Sequence, residues 1–193
     1  MQSCGLPQDF FDIKILSEKK MKEASVFMNE QDVAKTIARL SYSICEKFPS
    51  EDFVILGIHT GGAVLADRIS RFLKQNKGIV APVGVLDITL FRDDVATDGS
   101  YIDKTNINFS VADKNLILVD DVLYTGRTVR AALNAINTLG RPKTVCLTVL
   151  IDRGHRELPI KSDFVGKNIP TNSDQKVDVK FKETDGYDAV EIL

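Results

Sequence analysis

Asp120 and Asp121 are the residues of this chain whose type and position point most directly to chemistry. They follow four apolar residues, Leu116-Ile117-Leu118-Val119, which read as a buried strand. The carboxylates therefore fall at the strand's C-terminal end, where open α/β sheets place their ligands. Two adjacent carboxylates are costly to desolvate unless they meet hydroxyls, a metal ion or a cation. After Val122 and Leu123 comes a turn of small and hydroxyl residues, Tyr124-Thr125-Gly126-Arg127-Thr128, leading into a helix. Unpaired amides and the positive helix end make such a turn a cradle for phosphate. An acidic pair for sugar hydroxyls beside an amide-lined phosphate pocket describes a ribose-5-phosphate site. The plainer alternative is that the aspartates cap the next helix and Thr125-Gly126 makes an ordinary turn. Rival nucleotide motifs fit less well: there is no GxxxxGK[ST], and Gly57, Gly61 and Gly62 are not spaced as GxGxxG. A receiver-like phosphoacceptor site would also use strand-end aspartates but leaves the TGRT turn unexplained.

These residues must be held by regular elements, and the hydrophobic pattern supplies them. From the N-cap candidate Asn29, with Asp32 three residues on, Val33, Ile37, Leu40, Ile44 and Phe48 recur at helical spacing until Pro49. Residues 53–58 read as a buried strand, followed by the turn His59-Thr60-Gly61-Gly62 and a second helix carrying Val64, Leu65, Ile69, Phe72 and Leu73. Residues 83–90 suit a strand, 116–119 another, 128–139 a helix closed by Gly140 and Pro142, and 145–151 a further strand. Strands alternating with helices predict an α/β fold with a mainly parallel sheet covered on both faces. Residues 92–110 are long and polar enough to form a lid. The alternation Val177, Val179, Phe181 predicts a small antiparallel appendage.

Composition bounds the function classes. A chain of 193 residues is expected to form one domain, and 44% hydrophobic against 27% charged residues is the balance of a folded, soluble protein. The net charge of −2 supplies no global positive field, so any nucleic-acid partner must meet a local patch. Cys4, Cys45 and Cys146 are widely spaced and odd in number, which argues against a disulfide framework or zinc ribbon and for a reducing compartment. With His59 and His155 as the two histidines, a three-histidine zinc site is excluded. No apolar stretch approaches the ~20 residues of a membrane span, and Asp9 and Asp12 around Phe10 and Phe11 do not make a signal peptide. A cytoplasmic protein without a membrane partner is expected.

VDDVLYTGRT resembles the phosphoribosyl pyrophosphate motif of type I phosphoribosyltransferases. More narrowly, LDITLFRDD from Leu86, DRGHRELPI from Asp152 and VGKNIPT from Val165 resemble the pyrimidine operon regulator and uracil phosphoribosyltransferase family. The resemblance runs from about Asn29 to the C-terminus. It implies a central twisted sheet flanked by helices with a small C-terminal hood, a single domain over residues 29–193 and an N-terminal extension over residues 1–28. It implies transfer of ribose-5-phosphate from phosphoribosyl pyrophosphate to uracil, giving UMP and pyrophosphate, with Mg2+ held mainly through substrate rather than by protein ligands.

Carried onto this sequence, the family pattern gives the ribose hydroxyls to Asp120 and Asp121 and the 5-phosphate to the segment Val122, Leu123, Tyr124, Thr125, Gly126, Arg127 and Thr128. Pyrophosphate falls to the turn containing Thr60 and Gly61, where the family usually has basic side chains and this chain has His59 and Gly61. Arg92 matches the catalytic loop, Arg153 a nucleotide contact and Val177 a base contact. The resemblance also implies a homodimer or higher homo-oligomer, and binding of pyrimidine-operon mRNA under control of UMP or UTP. A patch for it would draw on Arg39, Lys47, His155, Arg156, Lys161 and Lys167, with Ala38 and Tyr42 standing where family members carry Thr and His. Hypoxanthine, guanine or orotate remain alternative bases, and a regulator with little enzyme activity an alternative role.

Overall fold

The computed structural model describes residues 25–50, 52–93, 101–172 and 174–193. The expected extension up to residue 24, with Cys4, and residues 94–100 of the expected lid lie outside the described residues.

The chain runs β1 (Ser25–Met28), α1 (Glu30–Lys47), β2 (Phe53–Ile58), α2 (Gly61–Lys77), β3 (Val83–Leu86), β4 (Asn115–Leu123), α3 (Arg127–Leu139), β5 (Thr144–Asp152), β6 (Phe164–Asn168), β7 (Val177–Lys180), α4 (Lys182–Asp185) and β8 (Ala189–Ile192). The Asn29 expectation holds in detail. Its side chain accepts from the Asp32 amide at 3.1 Å and Asp32 returns the bond, a capping box worth about 1 kcal/mol.

Five strands form a parallel sheet in the order β3-β2-β4-β5-β6. The side-chain period of two divides it into two cores. Ile117 and Val119 of β4 join α1 and α2 on one face, while Leu116 and Leu118 join α3 on the other. Each fully buried Leu or Ile among them contributes roughly 1.5–3 kcal/mol of transfer energy. Chain order reverses between β2 and β4: β2 leads to β3 on one side, and β4 then starts on the other. Such a switch leaves a crevice beyond the C-terminal ends of the two strands, and that is where His59 to Gly62 and Asp120 to Leu123 sit.

Several elements depart from expectation. The strand expected over residues 83–90 ends at Leu86, and a 3-10 turn, Thr89–Phe91, replaces its second half. Asp87 makes this turn: its Oδ1 accepts from the Thr89 amide at 3.0 Å and the Thr89 hydroxyl at 2.6 Å. Burial pushes the Asp87 carboxyl up, but the bonds from Thr89, Tyr101 and the Lys104 amide outweigh it and bring it to about 2. The later part of the expected lid lines the sheet edge, where Asn106 exchanges two backbone bonds of 2.9 Å with Val85. β6 lies in the charged stretch after Ile151, hidden from a hydrophobic count because three of its five residues are Gly166, Lys167 and Asn168.

The appendage is a three-stranded antiparallel hood, β1-β8-β7. Ser25 to Met28, expected in the extension, form its outer strand, with Met28 buried. Arg68 of α2 ties the hood down, donating to Asp188 at 2.6 and 2.8 Å, to Glu183 at 3.0 Å, and lying 4.9 Å over the Phe181 ring. Among the described residues no helix is long and apolar enough to cross a membrane.

The Arg68 guanidinium holds the carboxyls of Glu183 and Asp188 below their ordinary values. Acids lowered on folding stabilise fully above their unfolded pKa, and that contribution is lost as pH falls through the folded one. Arg68→Ala is therefore expected to cost about 2–3 kcal/mol at pH 7, less than a fully buried pair because Glu183 is partly solvated. In denaturant unfolding the difference from wild type should shrink as pH falls below the ordinary carboxylate range; an unchanged difference would refute the pairing.

Candidate functional site

β4 runs past its apolar segment and carries Asp120 and Asp121 as strand residues. The alternation sends Asp121 to the α2 face and Asp120 to the α3 face. Asp120 is 5% exposed. Its Oδ1 accepts from the Asp121 amide at 3.1 Å, and Asp121 Oδ1 accepts from the Val122 amide at 2.8 Å. Burial, and next the charge of Asp121, push the Asp120 carboxyl well up, while Arg92 pulls it back by a smaller amount. Burial also raises Asp121, with Asp178 of β7 adding its repulsion. Asp178 is a site neighbour the sequence reading missed; the one available signal was its place beside Val177.

The turn after β2 meets this pair through its glycines. A Cβ on Gly61 would stand 2.1 Å from Asp121 Oδ2, one on Gly62 2.4 Å from the Val119 carbonyl oxygen, and one on Gly57 2.5 Å from the Gly62 carbonyl oxygen. Bare backbone at these positions brings the N-terminus of α2 against the end of β4. The His59–Thr60 peptide is cis, His59 Nδ1 and Thr60 Oγ1 are 3.1 Å apart, and Thr60 is exposed. Unpaired amides and the positive end of a 17-residue helix thus open on the crevice.

The second turn starts at Tyr124. Gly126 takes φ +93°, a left-handed conformation that costs glycine little, and so starts α3 directly. Thr125 Oγ1 accepts from the Arg127 amide at 3.3 Å, and its carbonyl accepts from the Glu157 and Leu158 amides. Helix geometry leaves the amides of Thr128 and Val129 without intrahelical acceptors. The Arg127 side chain turns away to Glu157, 2.7 Å. Val122 is half-buried, and Leu123 is core whose carbonyl accepts from the Arg153 amide at 3.0 Å.

Other expected residues divide. Arg92 reaches the electrostatic neighbourhood of Asp120, and Asp93 pairs with Arg130. Arg153 is 7% exposed among internal partners, and the Val177 side chain belongs to the α1–α2 core. The six residues of the expected RNA patch differ in their partners. Arg39 donates to the Gly166 carbonyl and shares a cleft of about 340 Å3 between α1 and β6 with Lys35 and Lys167. Lys47 pairs with Asp163 at 2.8 Å, and Lys161 is exposed nearby. Arg156 is absorbed by the carbonyls of Tyr124, Gly154, Ile160 and Leu123 and by Asp152 at 2.6 Å, and His155 Nε2 lies 2.6 Å from the Thr171 carbonyl. Arg156 is thereby corrected from a member of that patch to a half-buried tie, its guanidinium spent on these carbonyls and on Asp152, whereas His155 stays exposed.

Among the described residues no group of three or more His, Cys, Asp or Glu could hold a metal ion. The Asp120–Asp121 pair offers two hard carboxylates, too few to enclose an ion alone, which fits a divalent ion that takes its other ligands from a phosphorylated ligand and water.

Comparison with known proteins matches residues 25–184 to the phosphoribosyl transferase domain. The chain is 49% identical over 175 residues to the bifunctional protein PyrR of Thermus aquaticus, covering 89% of this chain and 97% of that protein. It is 47% identical over 172 residues to the bifunctional protein PyrR of Deinococcus radiodurans, covering 88% and 94%. Among solved structures, a hypoxanthine phosphoribosyltransferase from Staphylococcus aureus superposes with a TM-score of 0.66 at 18% identity, over 86% of this chain and 90% of that one. That likeness shows the sheet-and-hood fold.

A buried carboxyl raised on folding destabilises the native state as pH climbs from its unfolded value through its folded one. Asp120→Asn removes that loss. The variant without ligand is expected to be more stable than wild type by about 1–2 kcal/mol at pH 7.5 and to show no gain near pH 4, read by thermal unfolding.

Proposed function

The chain belongs to the phosphoribosyl transferase domain family and, within it, to the group of PyrR bifunctional proteins, and on that premise we propose that it transfers ribose-5-phosphate from phosphoribosyl pyrophosphate to uracil. The products are UMP and pyrophosphate. The observation that carries the reading is the juxtaposition at the switch point: a buried and a half-buried carboxylate between two helix N-termini, with Gly61 against Asp121.

In this reading each helix start binds one anion. The amides from Thr125 to Val129 take the 5-phosphate, and Thr60, Gly61 and the start of α2 take the pyrophosphate. Asp120 and Asp121 accept hydrogen bonds from the ribose 2′- and 3′-hydroxyls, replacing lost hydration. Arg92 stands where it would offset the charge growing on the departing pyrophosphate. When the C1–oxygen bond breaks, its electron pair leaves with pyrophosphate; uracil N1 bonds to C1 and its proton passes to solvent. The hood bounds the base side of the crevice and keeps water from the electron-poor C1. A magnesium ion held mainly through substrate oxygens, beside this carboxylate pair, would supply electrostatic neutralisation of the leaving group. A cytoplasmic location and a homodimer or larger homo-oligomer belong to the same reading.

A second role, UMP-dependent binding of pyrimidine-operon mRNA, is favoured by the cleft that brings Lys35, Arg39 and Lys167 together. It expects RNA affinity that falls steeply with salt and rises with UMP; binding indifferent to UMP would reduce it to charge attraction.

Incubation with phosphoribosyl pyrophosphate, Mg2+ and each nucleobase in turn should yield UMP from uracil alone. Asp120→Asn and Asp121→Asn are each expected to lower the rate by about 100-fold or more. Product from a purine and not from uracil would overturn the assignment of base; no product from any base, with UMP still bound, would leave the regulator.

A further inference from the structure

Asp87 follows the last residue of β3 and is 7% exposed. A carboxylate this buried is costly unless hydrogen-bond donors surround it. Here the donors come from both ends of the long connection between β3 and β4. On the outgoing leg, Oδ1 accepts from the Thr89 amide at 3.0 Å and the Thr89 hydroxyl at 2.6 Å. On the returning leg, Oδ2 accepts from the Lys104 amide at 3.3 Å, and the Asp87 amide donates to Thr105 Oγ1 at 3.1 Å. An asparagine or serine could start the turn at Thr89 through a single oxygen. A carboxylate has a second acceptor for the far leg.

Arg92 lies on the outgoing leg. The 3-10 turn that Asp87 starts is closed by the Phe91 amide on the Ile88 carbonyl at 2.9 Å and the Arg92 amide on the Thr89 carbonyl at 3.4 Å. Phe91 packs against the core on the α3 face, and Asp93 pairs with Arg130 of α3. Arg92 is thus held from both directions, by Thr89 before it and Asp93 after it, and its charge acts on Asp120.

We propose that Asp87 is a positioning residue for the transfer step: by joining the two legs at their base, it holds Arg92 where the pyrophosphate leaves. This rests on the phosphoribosyl transfer reading and gives Asp87 no contact with the ligand. A guanidinium already held in place loses less freedom when the anion arrives, and it stabilises the departing charge most when it need not reorganise. UMP carries no pyrophosphate, so its binding does not depend on this link.

The test is a cycle of Asp87→Asn, Arg92→Ala and the double variant. It is read by kcat/KM for phosphoribosyl pyrophosphate at saturating uracil with Mg2+, and by UMP affinity in calorimetry. Arg92→Ala is expected to lower kcat/KM about 100-fold and Asp87→Asn about tenfold, both leaving the UMP Kd within about twofold. The double variant should be no worse than Arg92→Ala, because Asp87 acts through that side chain. Losses that multiply to about 1,000-fold, a UMP Kd raised as far as the rate falls, or an unchanged kcat/KM in Asp87→Asn would each overturn the proposal. Should Asp87→Asn not fold, Thr105→Val cuts the link from the returning leg with the carboxylate intact. Its expected loss is about threefold, vanishing when Arg92 is already alanine; a loss that persists there, or none with Arg92 present, overturns the proposal. The wild-type control separates the two readings. A wild-type chain that binds phosphoribosyl pyrophosphate but forms no UMP removes the enzyme, and its Kd for that ligand then replaces kcat/KM in the same cycle. One that does not bind phosphoribosyl pyrophosphate overturns both.

Discussion

Everything at the centre of this molecule follows from the cost of keeping two neighbouring carboxylates out of water. Asp120 and Asp121 sit at the end of a strand that is apolar up to that point, and burial raises both. The protein alone does not repay that cost: the bonds from the Asp121 and Val122 amides satisfy one oxygen of each carboxylate, and Arg92 offsets only part of the charge. Stability withheld in this way is available to a ligand bearing hydroxyls and counter-charge, which recovers it on binding. The glycines serve the same constraint, since any side chain at position 61 would occupy the space of the Asp121 carboxylate.

Around this centre the cationic side chains divide by task. Arg68 fastens the hood to α2, Arg156 gathers the carbonyls at the end of β4, and Arg39 holds α1 to β6. Each has a guanidinium where a lysine would supply charge but no fork. Together they pin the elements that carry the short residues of the crevice, Asp, Thr and Gly. Ties of this kind hold in place the backbone amides, which cannot change rotamer, to which the proposed reading gives the anions.

The sequence disclosed what depends on local chemistry. The Asn29 capping box, the buried strand β2, the aspartates at the end of β4 and the turn at Gly126 are each readable from residues within a few positions of one another. It hid what depends on distant partners. β6 contains Gly166 because a Cβ there would lie 2.2 Å from the Leu150 carbonyl oxygen, a packing demand with no hydrophobic signature. β1 is a strand because β8 pairs with it, and β3 stops at Leu86 because Asp87 captures the Thr89 amide. One basic residue misled for the same reason: Arg156 looks solvated in a charged stretch, and becomes half-buried once the end of β4 is brought beside it. Val177 carried a family role, yet its period-two partners put its side chain in the core.

The hood pairs a strand from near residue 25 with one from near residue 192. Closing a loop of that length carries one of the larger entropic charges in the fold, and it cannot be met until the last strand exists. During translation, the parallel sheet and its carboxylate pair have all their strands before β8 leaves the ribosome, whereas the cover over the base side does not. A nascent or stalled polypeptide would thus display the acidic crevice without its roof, able to attract a divalent ion or a sugar phosphate but not to shield a reacting carbon. The roof over the crevice therefore closes only after every strand of the parallel sheet is present.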